Sequence, residues 1–313
     1  MRSDTSRPSA DDPDRLLARW RALLAEQPHT HLPQAAATLG VSEGALLATR
    51  VGSGAVCLQP RLAALLDGIG QWRKLFVVTP SRLGVTIAIL EVPGCREREE
   101  DRIELLGKQH RIVIDAARIR HCYLFEDRDV HGHSLSLCWF DAQGIALGKL
   151  FLRSRRGQEL AVPRLMAQTL PEQSRVFAGT QSPDAGTHSL GATGGEAASS
   201  GMKADARAGR LAHAALAATC HLAAVELRMT GDALDALYRG PLTSFSETPG
   251  ALHLSAAGCK AHLRPSAAHA VLPLQHEDGR HGLRIETANG SLSILPAAQA
   301  ESHRLAALIE EAP

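Results

Sequence analysis

Residues 134–152, SLSLCWFDAQGIALGKLFL, leave the chain little freedom in how it folds. Leu135, Leu137 and Trp139 alternate, which is the period of a half-buried β-strand. Asp141-Ala142-Gln143-Gly144 reads as a turn in which Gly144 is free to take positive φ. The return strand alternates Ile145 and Leu147, slips at Gly148 and resumes at Leu150 and Leu152. An interior glycine at such a slip predicts a β-bulge. A second, weaker hairpin follows near the C-terminus at residues 283–295, LRIETANGSLSIL, turning at Ala288-Asn289-Gly290.

The two hairpins belong to a longer internal correspondence. Their turn glycines, Gly144 and Gly290, are 146 residues apart, and Arg61-Leu62-Ala63 and Arg210-Leu211-Ala212, each opening a helix before a strand, are 149 apart. Two features at nearly one offset predict a duplicated αβ unit. A length of 313 residues suits two such units.

Helices open the chain. Asp12-Pro13 supplies an N-cap and a first helical position, and Leu16, Leu17, Trp20, Leu23 and Leu24 form one apolar stripe. A second helix over 33–39 stops at Gly40, and Ser42 caps a third over 43–49. This pair has the outline of a DNA-binding helix-turn-helix. The second helix offers Glu43, Ala45, Leu46 and Leu47, with Arg50 the one base-capable side chain at its end. A recognition helix needs several donors toward base edges and phosphates, so a packed helical hairpin is expected. A further helix is expected over 61–69, strands over 75–79, 85–92, 111–114 and 118–125, and a helix over 159–170. The mixed-sign run REREEDR at 96–102 reads as a solvated loop or helix face.

At 178–209 the composition turns to Gly, Ala, Ser and Thr without apolar period, as in a flexible linker. Beyond it come a helix over 210–218, strands over 223–229, 251–254, 270–274, 282–286 and 291–295, and a closing helix over 298–311. The expected architecture is α+β, with two pseudo-repeated halves, 1–177 and a shorter 210–313. Each half is expected to carry an antiparallel sheet with flanking helices.

Composition narrows function mainly by exclusion. A formal net charge of +1 argues against a broad electrostatic footprint for nucleic acid or anionic membrane. Six scattered cysteines without a CxxC suit a reducing compartment. No apolar h-region opens the chain and no run of 18 apolar residues exists, so neither a secretory signal nor a membrane span is expected. HExxH, GxSxG, Walker A and GxGxxG motifs are all missing. His131-Gly132-His133 and the pair His29, His31 fall in turns or loops without a third ligand.

The ordered motifs resemble the haemin-degrading HemS/ChuX family. The segment AAATLGVSEGALLATRVG at 35–52 is similar to the family's early helical hairpin. The run Ser136-Leu137-Cys138-Trp139-Phe140-Asp141-Ala142-Gln143-Gly144 is similar to its S-x-x-F-F-D-x-x-G strand and turn. The resemblance covers most of 15–168 and is fainter over 210–295, where Ala251-Leu252-His253-Leu254 looks like the family's F-N-L-H-L strand. It implies a cytoplasmic haem-binding protein of haem-iron utilisation, trafficking haem or, oxygenase-like, degrading it. A haem-uptake transporter or a reductase would be its partners. Haem would lie between two sheets in an apolar slot, with one axial ligand and cations for the propionates. By the resemblance His188, in Asp184-Ala185-Gly186-Thr187-His188, is the candidate axial iron ligand. His253 is a candidate pocket residue, and Lys149 and Arg264 are candidate propionate partners.

The pattern also departs from the family. Its H-K pair becomes Gly148-Lys149, its T-R-N turn becomes Thr79-Pro80-Ser81, and its K-P-T segment becomes Leu274-Gln275-His276. A G-x-R-x-P-G stretch is missing near the end. These losses define the alternative, a divergent member that has given up haem and acts as a binding or scaffold module.

Overall fold

The computed structural model describes residues 12–72, 74–91, 93–98, 101–129, 132–152, 155–179, 205–303, 305 and 307. Helix α1 (Pro13–Glu26) starts where the sequence places it: the Asp12 carboxylate accepts from the Asp14 N–H at 3.1 Å, and Leu16, Leu17, Trp20 and Leu23 are buried. Helix α2 (Leu32–Leu39) ends at Gly40, whose φ of 70° lies in the left-handed region glycine tolerates. Ser42 Oγ then accepts from the Ala45 N–H at 3.2 Å and opens α3 (Glu43–Ala48).

All six residues of α3 are buried, in a core shared with Tyr123, Phe125, Cys138, Phe140 and Phe177. A recognition helix must stand in solvent; this one is packed. Arg50, the candidate base contact, donates instead to the Ser53 carbonyl at 3.1 and 3.2 Å and lies over the rings of Trp20 and Phe125.

The first half continues with β1 (Ala55–Leu58), a short α4 (Leu62–Leu65) and a 3-10 turn at Ile69–Trp72. Eight strands follow: β2 (Lys74–Ser81), β3 (Gly84–Glu91), β4 (Gly94–Arg98), β5 (Arg102–Leu106), β6 (His110–Asp115), β7 (His121–Asp129), β8 (Gly132–Phe140) and β9 (Ala146–Leu152). Helix α5 (Arg155–Met166) closes it. The second half has α6 (Ala206–Thr219), then β10 (Val225–Thr230), β11 (Leu234–Gly240), β12 (Leu242–Thr248), β13 (Ala251–Ala256) and β14 (Cys259–Leu263). It ends with β15 (Ala270–Gln275), β16 (His281–Thr287) and β17 (Gly290–Pro296).

Within the REREEDR run, residues 96–98 and 102 belong to strands rather than to a loop or helix face, and residues 94–98 pair antiparallel with 102–106. Ile103 and Leu105 face the core, and Arg102 and Glu104 alternate with them on the opposite face.

Two antiparallel sheets result. The nine-stranded sheet runs β1-β7-β8-β9-β2-β3-β14-β13-β12, and the eight-stranded sheet runs β15-β16-β17-β10-β11-β6-β5-β4. Setting β1 aside, the orders superpose when β2–β9 are matched with β10–β17 in sequence. Each half therefore builds five strands of its own sheet and lends three, β4–β6 or β12–β14, to the other. The turn glycines Gly144 (φ 81°) and Gly290 (φ 152°) occupy equivalent hairpins, as the offset predicts. The expected bulge is also present: Trp139 pairs with Gly148 and Phe140 with Ala146, leaving Leu147 unpaired between them.

The sheets face each other across aliphatic cores. One core combines Val77, Leu137, Trp139 and Leu150 of the nine-stranded sheet with Leu105, Ile112 and Ile114 of the other, plugged by Leu62, Leu65 and Leu165. The second combines Leu252, Leu254 and Leu263 with Leu227, Ile285 and Ile294, plugged by Ala212 and Leu216 of α6. None of the six cysteines forms a disulfide. Among the described residues, no helix is long and apolar enough to cross a membrane.

Candidate functional site

The outer face of the nine-stranded sheet carries two of the sequence-predicted residues, Lys149 and His253. Alternation turns Leu75, Val77, Ala88, Leu150, Ala261 and Leu263 inward and leaves their neighbours outward. Pairing then sets the outward residues in rows. One row is Lys149–Val78–Ile87–Lys260; another is Pro80–Val85–His262–His253. With Phe76, Phe151 and Ile89 they make a half-buried apolar strip bracketed by Lys149 on one side and by Lys260 and the two histidines on the other. The eight-stranded sheet differs on its outer face, where cross-strand ion pairs Arg228–Asp235 (2.5 Å) and Arg239–Glu226 (2.7 Å) neutralise one another.

Lys149 Nζ lies 4.3 Å from the centre of the Phe151 ring and 5.8 Å from that of Phe125. Burial pushes the carboxyl of Glu43, in α3, up to about 8, and the Lys149 charge opposes that rise. Gly148, standing where the family has histidine, is in contact with Trp139: a Cβ there would lie 2.5 Å from Trp139 Cζ2.

His253 is paired with a residue that the sequence reading did not single out. Its Nδ1 lies 2.5 Å from His262 Nδ1, and its Nε2 lies 2.9 Å from Thr248 Oγ1. Both ring nitrogens are thus engaged, and contact with iron would require breaking one of these bonds. Burial, His253 and Lys260 all hold the His262 imidazole below its ordinary pKa. Arg264 follows β14 directly, and burial holds its guanidinium below the ordinary arginine value. His188 and most of the 178–209 segment lie outside the described residues, as does His131.

Two small cavities lie among the described residues. At the centre of the molecule His110, Met229, Tyr238 and Cys259 line a cavity of about 20 Å³, room for a single water. A second cavity of about 40 Å³ sits among the turns at Arg82, Ile145, Asp232 and Asn289. Among the described residues, no group of three His, Cys, Asp or Glu could hold a metal ion. The apolar strip and its flanking cations offer apolar area and positive charge of the kind a large, flat, anionic ligand takes.

A duplicated pair of strand-exchanging antiparallel sheets, with helices at both ends, defines the class. Residues 40–169 match the haemin-degrading HemS.ChuX domain. That match makes the chain similar to the HemS/ChuX family over residues 40–169. Its fold is shared with holo-PhuS, a heme-binding protein from Pseudomonas aeruginosa, at a TM-score of 0.75 and 19% identity over 96% of this chain and 99% of that one. It is shared as well with the heme degrading enzyme ChuS of Escherichia coli O157:H7, at a TM-score of 0.74 and 12% identity over 95% of this chain and 99% of that one. No curated protein matches in sequence.

Proposed function

We propose that the chain binds haem in haem-iron utilisation. The observation that carries this reading is the HemS.ChuX domain at 40–169, set in a fold that follows haem-binding PhuS along 96% of the chain. In this reading the halves 1–177 and 210–313 are joined by 178–209, and His188 in that segment supplies the axial nitrogen. Lys149 and Arg264 neutralise propionates, and His253 lines the ligand's edge. Bound haem would supply redox-active iron, and, if the chain is oxygenase-like, attack on its own ring. The protein's part is to desolvate one face of the ring, hold its carboxylates and leave the other face open. Residence in the cytoplasm, receipt of haem from an uptake transporter and electrons from a reductase belong to the same proposal.

A specific observation favours a second reading. Trp139 fills the space beside Gly148, as expected of a member that has given up haem and serves as a binding or scaffold module. Absorbance titration of the full chain with haemin separates the two. A saturable Soret band at one equivalent supports haem binding; featureless, non-saturating spectra leave the scaffold reading.

A further inference from the structure

His253 and His262 meet because of local chain geometry. Strands β13 and β14 are joined across Ala257-Gly258, with Gly258 at φ 84°, and pairing outward from that turn sets 253 opposite 262. The two Nδ1 atoms lie 2.5 Å apart and the ring centres 4.7 Å apart. We take His253 Nε2 as the donor to Thr248 Oγ1, whose own hydrogen can turn to the Ala251 carbonyl 3.5 Å away. His253 Nδ1 is then a lone pair aimed at His262. A metal-binding imidazole has the same arrangement, with one nitrogen donating to a protein oxygen and the other presented as a base.

We propose that His253 and His262 chelate one divalent late transition ion, of the Zn²⁺ or Cu²⁺ class, through their Nδ1 atoms, and that the ion staples β13 to β14. As the ion enters, His262 changes tautomer: the hydrogen on its Nδ1 is given up to water and its Nε2 takes one from water, so both rings bind as neutral imidazoles with no net proton released. Bonds of about 2.0–2.1 Å to one ion set the nitrogens about 3 Å apart, so the rings need separate by less than about 1 Å. Two side chains on an open sheet face accommodate that by rotation, and water completes the coordination. Imidazole selects these ions over Mg²⁺ and Ca²⁺, which take oxygen ligands. The neighbours across the flanking strands, Ser246 and Val85, are uncharged, and the nearby Lys260 opposes the ion.

The test is equilibrium dialysis of the full chain, free of haem, against Zn²⁺ and Cu²⁺, alongside His253→Ala, His262→Ala and Thr248→Val. Fifteen histidines make the difference between variants the readout. The wild type is expected to bind one equivalent more than either histidine variant, with two nitrogen couplings in the Cu²⁺ spectrum of that equivalent. Zn²⁺ is expected to raise the melting temperature of the wild type and not of His262→Ala. Thr248→Val should weaken binding by about 10- to 100-fold through loss of the orienting oxygen. Equal tight equivalents in wild type and a folded His262→Ala overturn the proposal, as does displacement by excess Mg²⁺. Haem is absent throughout, so the outcome is independent of the haem reading.

Discussion

Trp139 occupies the room a side chain at position 148 would need. A Cβ on Gly148 would lie 2.5 Å from Trp139 Cζ2 and 2.8 Å from its Nε1, and the indole is fully buried. Restoring the family's histidine with Gly148→His should therefore overpack the core and cost about 1–3 kcal/mol. Trp139→Ala leaves a void and should cost about 3–5 kcal/mol. In the pair Trp139→Leu, Gly148→His the costs should sum to less than their separate values, because the smaller side chain frees the contested space. Urea melts of the two single variants and the pair check this.

Glu43 makes stability depend on pH on the alkaline side. Its carboxyl has an ordinary value of 4.5 and stands near 8 in the folded chain, chiefly through burial. The folded state keeps a proton that the unfolded state gives up, so stability falls as pH rises from about 4.5 through about 8. Glu43→Gln should flatten that slope and stabilise the chain at pH above 8. Lys149→Met should steepen the loss by removing the one opposing charge. Thermal melts across pH 5–9 would show both, at about half-unit steps.

His110 acts on the acid side. Burial lowers its imidazole from 6.5 to about 4, so the unfolded chain takes up a proton first. The stability it contributes is complete above 6.5 and lost as pH falls through about 4. His110→Leu should remove this part of the acid dependence. A melting profile between these values that is unchanged in the variant would refute it.

The first helical hairpin is fastened to the central turn. The Gly44 N–H donates to the Gly144 carbonyl at 2.9 Å, and a Cβ on Gly144 would lie 2.4 Å from Ser42 Oγ. Ser42→Ala should cost about 0.5–2 kcal/mol through the lost cap. Gly144→Ala, at φ 81°, meets both backbone strain and this clash and should cost more than about 1 kcal/mol. Denaturant midpoints measured at constant slope give both values.

The sequence announced those elements whose chemistry is local. Asp12-Pro13, Gly40 and Ser42 mark helix ends through groups within a few residues, and the Gly144 hairpin shows itself by period and turn. Strand β12, LTSFSET, lies exposed at a sheet edge and has no apolar face to announce it. Strands β4 and β5 were hidden by charge, since only alternate residues carry the apolar signal. The exchange of three strands between halves depends on pairing between segments more than a hundred residues apart, which no local pattern reports. Lys149 and His253 were legible as candidates, whereas His262 becomes visible only once Ala257-Gly258 is read as a two-residue turn.

The central claim is haem binding, and the most direct measurement is the haemin absorbance titration repeated on His188→Ala, Lys149→Ala and Arg264→Ala. The account predicts a saturable Soret band at one equivalent in the wild type. It predicts a band shifted or abolished in His188→Ala, and weakened affinity with unchanged band position in the Lys149 and Arg264 variants. A wild-type chain that is folded yet gives no saturable Soret band would contradict it.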